Sequence, residues 1–391
     1  MTAWFSPPWG SPPRNLGRVG EKVARRASDG TSIGLVMIVR NEARVLPRLA
    51  RSVTGQLDHV TIVDTGSRDG TVDVAREVFA DVPLEIVEDE WRGFGESRNV
   101  ALRRADSHTD WLLFLDADEA LEGRIDRARL ALDLDGFYVA RLSGSMLMWL
   151  PRIVVSGRGW AWHGRTHEYL TREGTTARTT RLTGCQIVHH GDGGSRADKY
   201  ERDLELLRAD WAEHTDDPRT AFYLARTYDE MGRYDEAVDW YQRRASLAGW
   251  DEEAWYATFR IGACLLRTGH VERGRNELWS AWAHRRHRAE PLATLAEHFR
   301  LCGAWPEAWR ACTTAFESTA ARPDGTDAPM PDSLFVDTDV YSWRIAYEAS
   351  ITAWYVGEHA KGKRYTDYVM GCPEAPDIVR DAVQANQSFY G

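Results

Sequence analysis

Two carboxylates one residue apart, Asp116 and Asp118, directly follow the apolar run WLLFL at residues 111–115. Carboxylates at the carboxyl end of a buried strand suit chemistry in which a nucleoside diphosphate leaves and its developing charge must be neutralised. A hard divalent cation, Mg²⁺ or Mn²⁺, does this with few protein ligands, because phosphate oxygens and water complete its shell. His189 follows the strand-like stretch 185–188 and precedes a glycine-rich turn, which makes it a candidate imidazole ligand beside Asp118. Asp64, in VDTGSRDGT, also stands at a strand end, with Gly66 and Gly70 allowing close backbone approach to a base or ribose. Arg98, near the start of a helix in FGESRNVAL, is placed to clamp a pyrophosphate. Glu168, next to His167 in GRTHEYL, is the best general-base candidate for taking the proton of an attacking acceptor.

These residues need a scaffold that brings distant segments to one edge. Apolar runs at 32–40, 59–63, 84–87 and 111–115 alternate with helical spacing at 42–53, 71–79 and 97–105. The resulting β-α-β-α-β-α-β pattern predicts a mostly parallel, Rossmann-like α/β sheet with helices on both faces. Ligands of such sheets bind beyond the carboxyl ends of the strands. Residues 136–190 turn strand-rich and aromatic, with Trp149, Trp160 and Trp162, and are expected to form the acceptor side.

Beyond an amphipathic helix at 197–214 the chain repeats. Leu224-Ala225, Tyr228, Gly232, Tyr234 and Ala237 recur as Ile261-Gly262, Leu265, Gly269, Val271 and Gly274, and again as Leu295-Ala296, Phe299, Gly303, Trp305 and Ala308. The step from Gly269 to Gly303 is the tetratricopeptide period, the step before it is slightly longer, and a poorer copy runs from Tyr341 through Gly357 to Tyr368 as a terminal cap. The expected organisation is a loosely ordered arm at 1–30, a nucleotide-binding α/β domain at 31–196, a connector helix at 197–216 and all-α helical repeats at 217–391.

Composition narrows the partners. The 391 residues carry a net charge of −10, which disfavours nucleic acid, and no stretch approaches the roughly 20 apolar residues of a membrane span. The five cysteines, with no C-x-x-C pair, suit reduced thiols and a cytoplasmic location.

The ordered set MIVRNEARVL, VDTGSRDGT, FGESRNVAL, FLDADEAL, GRTHEYL and IVHHG resembles the family 2 glycosyltransferases of the GT-A fold. With the helical repeats it is similar to the S-glycosyltransferases of sublancin-type bacteriocin peptides, proteins of bacteria or their phages. The resemblance covers about residues 32–315. It implies that Ile38, Arg40, Glu42 and Asp64 hold the nucleoside, with a UDP-sugar favoured, and that Arg98 holds the diphosphate. Asp116 would hold the ribose or the metal, and Asp118 with His189 the metal; inversion at the anomeric carbon is implied as well. His190 and the following Gly-Asp-Gly-Gly depart from the aromatic residue the resemblance leads one to expect after the glycine.

The expected activity is metal-dependent transfer of a sugar to a Ser, Thr or Cys side chain of a peptide or protein, held partly by the repeats; a homodimer is allowed. The alternatives are a small-molecule or glycan acceptor, and a non-catalytic scaffold that senses nucleotide sugar while its repeats bind a partner. A nucleotidyltransferase ranks last, because RNEARVL lacks a glycine- and lysine-rich phosphate loop.

Overall fold

The computed structural model describes residues 31–193, 199–318 and 331–390; the expected arm at 1–30 lies outside them. The chain divides into two compact units, Met1–Thr215 and Asp216–Gly391, so that the helix read as a connector belongs to the first.

The first unit runs β1 (Ile33–Val39), α1 (Leu46–Val53), β2 (His59–Asp64), α2 (Thr71–Val78), β3 (Leu84–Glu88), α3 (Phe94–Ala105), β4 (Trp111–Phe114), β5 (Glu119–Gly123), α4 (Arg127–Leu130), β6 (Gly136–Ser143), β7 (Met146–Val155), β8 (Trp160–His163), β9 (Tyr169–Arg172), β10 (Thr179–His189) and α5 (Lys199–Glu213). Its main sheet is ordered β3-β2-β1-β4-β7-β6-β10-β5, while β8 and β9 form a separate ribbon. The four strands from β3 to β4 are parallel. Strand β7 runs antiparallel to both β4 and β6, β10 is parallel to β6, and β5 is antiparallel to β10.

The period of two along each strand sends alternate side chains to opposite faces. Ile33, Leu35, Met37 and Val39 of β1 therefore join Leu46, Leu49 and Val53 of α1 and Ala75 of α2. Val36, with Leu112 and Phe114 of β4, joins Ala101 and Leu102 of α3 and Trp160, Trp162 and Leu170 of the ribbon. Such burial on both faces makes β1 read as an unbroken apolar run. This is the α/β architecture that the GT-A resemblance implies.

Helix α1 begins four residues later than its hydrophobic spacing suggests. Asn41 takes a left-handed backbone (φ 57°), and the backbone of 41–43 is tied instead to the loop after β2. The N–H of Asn41 donates to Ser67 Oγ (2.9 Å), that of Glu42 to Thr71 Oγ1 (2.8 Å) and that of Ala43 to Asp69 Oδ2 (3.1 Å). The sequence does not predict strand β5, since EALEG lacks both β-branched residues and an apolar run; its pairing with β10 supplies its stability.

The second unit stacks helix pairs: α6 (Pro218–Glu230) with α7 (Tyr234–Ser246), α8 (Asp251–Arg267) with α9 (Val271–His284), α10 (Glu290–Leu301) with α11 (Trp305–Ser318), and α12 (Ile345–Tyr355) with α13 (His359–Met370), followed by α14 (Asp377–Asn386). The recurring glycines Gly232, Gly269, Gly303 and Gly357 each end the first helix of a pair with positive φ (74°, 83°, 71° and 79°), a conformation that favours glycine. The longer first spacing resides in α8, which has 17 residues against 12 in α10, its counterpart in the next interval. No described helix is long and apolar enough to cross a membrane.

Candidate active site

The carboxyl end of β2 delivers Asp64 into a cleft of about 870 Å³ walled by Gly66, Ser67, Thr71, Glu88 and Arg92. Its carboxylate accepts from the backbone N–H of Ser67 at 3.1 Å and from the Ser67 hydroxyl. The cleft carries Asp73, Asp89 and Glu90 as well, so it suits the N–H and O–H donors of a nucleoside better than a phosphate. The stitched loop of Arg40 and Glu42 adjoins it, with Arg40 exposed, Glu42 half-buried and Ile38 half-buried in β1. Strand β1 lies between β2 and β4, so Asp64 and the Asp116 segment stand about two strand spacings, roughly 10 Å, apart along one sheet edge.

Beyond β4, the β5–β10 pairing brings the next two candidates together. Glu119 is paired with His189 in that register, and the N–H of His190 donates to the carbonyl of Asp118 at 3.0 Å. The imidazole Nε2 of His189 consequently lies 3.3 Å from Asp118 Oδ2, while its Nδ1 hydrogen-bonds Ser143 Oγ at 3.1 Å. Burial works to raise the pKa of Asp118, but His189 and the N–H of Gly193 outweigh it and hold the carboxyl below its ordinary value. Gly193 is wedged between two site carboxylates: a Cβ there would sit 3.1 Å from both oxygens of Glu42 and 3.3 Å from Asp118 Oδ2. The turn that carries it is latched to α1, where Arg48 makes a two-pronged contact with Asp192 at 2.6 and 3.0 Å.

Arg98 forms the third group, and it is not a free clamp. Its Nε donates to Glu168 Oε1 at 2.5 Å and its Nη2 to Asp116 Oδ1 at 2.6 Å, with the guanidinium 5.2 Å above the Trp162 ring. Close packing of α3 on the ribbon makes this bridge. Asn99 exchanges two 2.8 Å hydrogen bonds with the backbone of Trp162, and a Cβ on Gly95 would lie 2.4 Å from the carbonyl of Gly164. Trp160 and Trp162 thus belong to the core.

Asp116 is held from its other side by residues that the sequence did not single out. Arg152 lies 3.9 Å from Asp116 Oδ2 and 3.1 Å from the fully buried Glu119, which also accepts from Arg141 at 2.6 Å and from the N–H of Asp116 at 2.9 Å. Burial opposes ionisation of Asp116, yet Arg98 and Arg152 overcome it and keep the carboxyl well below the usual range. The available signal was an arginine in each of the otherwise apolar strands β6 and β7, since a charge in a buried strand requires a partner.

His167 stands apart from this group. Its backbone is left-handed (φ 49°), and its Nε2 lies 4.0 Å from Asp203 of α5, which also accepts from the Thr166 hydroxyl at 3.1 Å. Among the described residues no group of three or more His, Cys, Asp or Glu side chains converges on a single ion position.

The family model described as Glycosyl transferase family 2 matches residues 35–127, which span β1 to the start of α4. A TPR repeat-containing protein of Synechococcus elongatus is 43% identical over 90 residues, 23% of this chain and 21% of that protein. The SPbeta prophage-derived glycosyltransferase SunS of Bacillus subtilis is 24% identical over 230 residues, 55% of this chain and 54% of that protein. The chain thus spans about a fifth and about half of these relatives. Among solved structures, MamA aligns with a TM-score of 0.35 at 11% identity, over 50% of this chain and 94% of that one. The chain carries a family 2 glycosyltransferase domain, followed by helical repeats of the tetratricopeptide kind.

Proposed function

We propose that this chain transfers a sugar, with inversion, from a nucleotide-sugar, a UDP-sugar by preference, to a Ser, Thr or Cys side chain of a peptide or protein. The observation that carries the reading is the alignment of three groups along one sheet edge: the Asp64 cleft, the Asp118–His189 pair and the Asp116–Arg98–Glu168 bridge. Asp64 takes the nucleoside together with Ile38 of β1 and the loop residues Arg40 and Glu42. The peptide acceptor follows from the likeness to sublancin-type S-glycosyltransferases.

A divalent cation fits the second group. Asp118 and His189 offer one carboxylate and one imidazole, and the Ser143 contact at Nδ1 leaves Nε2 directed at Asp118. Asp116, engaged by two arginines, supports the site without serving as a ligand. When bound, the cation neutralises charge on the departing diphosphate. Glu168 accepts the acceptor's proton, its carboxylate oriented by Arg98, while His167, turned toward Asp203, supports the turn that presents Glu168. The acceptor atom then forms its bond to the anomeric carbon as the bond to the diphosphate oxygen breaks on the opposite face.

Ser143→Ala tests the orientation of the imidazole. It is expected to weaken Mn²⁺ affinity in the presence of UDP by about 10–100-fold while leaving UDP binding without metal unchanged. Equal metal affinity in the variant would remove His189 from the ligand set.

A thermal-shift panel of UDP, GDP, CDP and dTDP, each with Mn²⁺ or Mg²⁺, tests the donor class. A ligand at a hundredfold excess over its Kd stabilises the folded state by about 2.7 kcal/mol. Selective, metal-dependent stabilisation by UDP is expected; no shift with any diphosphate would contradict the transferase reading.

A further inference from the structure

The first helices of successive pairs pack on one another, α6 on α8, α8 on α10 and α10 on α12. They line the inner side of the stack, the side on which such arrays present concave binding surfaces. Across α6, α8 and α10 this surface is covered by the chain itself, through residues 332–337, Asp-Ser-Leu-Phe-Val-Asp.

Side chains of the repeats bind the backbone of that segment. Glu252 of α8 accepts from the N–H groups of Ser333 and Leu334, both at 2.8 Å. Arg288, just ahead of α10, donates to the carbonyls of Leu334 and Phe335 at 3.1 and 2.8 Å, and Glu290 of α10 accepts from the N–H of Asp337 at 3.3 Å. Buried backbone is ordinarily satisfied by other backbone. Around residues 333–335, backbone N–H and C=O groups met by a carboxylate and a guanidinium of the repeats are held as a groove holds a peptide.

Two side-chain pockets add selectivity. Phe335 is 1% exposed, with its ring centroid 6.1 Å from Phe222 and 5.0 Å from Tyr256, and the Arg226 guanidinium 3.8 Å over its face. Its backbone is left-handed (φ 46°), a conformation that strains a bulky residue and is imposed by the surroundings. Asp332 accepts from Arg285 at 2.6 Å, His287 at 2.9 Å and Arg288 at 3.1 Å.

We propose that the inner face of α6, α8 and α10 is a peptide-binding groove selective for the pattern Asp-x-x-Phe, and that residues 332–337 are its intramolecular occupant, closing it to peptides in trans. The proposal does not depend on the transferase reading. A peptide partner of the repeats carries the same acidic and aromatic pair and displaces residues 332–337 on binding.

The test uses the full chain, wild type and D332A/F335A, with a fluorescein-labelled peptide of sequence PDSLFVDT. The double variant is expected to bind at least about tenfold more tightly than wild type, because an occupied groove lowers apparent affinity by its open fraction. A folded double variant that does not bind the peptide would overturn the proposal. Hydrogen exchange in the wild-type chain decides independently of how the variant folds. Amides of Ser333 and Leu334 that exchange faster than those of α8 mark a separable occupant, whereas exchange only together with α8 would make residues 332–337 ordinary core and sink the idea.

Discussion

Asp118→Asn is expected to lower kcat/KM for sugar transfer by about 10²–10³-fold, the usual effect of removing one preorganised electrostatic group from a reacting centre. The near-isosteric amide retains an acceptor for the N–H of Gly193, so the thermal midpoint should stay within about 3 °C of wild type. What is lost is the negative charge opposite His189, which lies 3.3 Å away. Steady-state kinetics with saturating donor and titrated Mn²⁺ check this. A variant with wild-type kinetics would place the reacting diphosphate away from β5.

The second large effect is structural as well as chemical. Arg98→Met removes the cation shared by Asp116 and Glu168, whose side chains are 30% and 12% exposed. Breaking a buried ion pair from one side costs about 3–5 kcal/mol, and at about 2–4 °C per kcal/mol for a unit of this size the midpoint should fall by roughly 10 °C. Turnover should be lost with it, since Glu168 loses the group that orients it. Arg98→Lys should recover only part of either property, because an ammonium lacks the planar fork that reaches both carboxylates.

The pH dependence follows from Asp116. Its folded-state pKa is depressed, so its contribution to stability is full above its unfolded pKa, about 3.9, and is lost as the pH falls below that. The variant lacks most of this contribution. Its deficit relative to wild type should therefore be largest near neutrality and should narrow below about pH 4. A deficit that is constant from pH 3 to pH 7 would mean that packing against Trp162, and not charge, accounts for the loss.

The alternating, mostly parallel α/β part around β1 was legible because burial on both faces leaves an unmistakable apolar run, and the repeats were legible because a left-handed turn recurs at glycine in each pair. Asp64, Asp116 and Asp118 stood out as polar residues at the ends of such runs. Strand β5 was not legible, since its stability comes from pairing with β10, some sixty residues later. For the same reason the buried network of Glu119, Arg141 and Arg152 was not legible: an arginine in an apolar strand signals that a partner exists without naming it, and only the register of β5, β6, β7 and β10 brings them together. Arg98 was singled out for its place near a helix start, but its partners came from the packing of α3 on the β8–β9 ribbon. Residues 332–337 follow a Pro/Asp/Gly-rich stretch that reads as plain loop, and nothing local signals that Phe335 is buried among inner helices.

Donor binding at the β2 and β5 ends is tested most directly by titration calorimetry of UDP into the wild-type chain, Asp64→Ala and Asp118→Asn, with and without Mn²⁺. One site per chain is expected in the wild type, tightened by Mn²⁺, weakened in Asp64→Ala with or without metal, and deprived of its metal dependence in Asp118→Asn. Absence of UDP binding in the wild type, or identical binding in all three proteins, would contradict it.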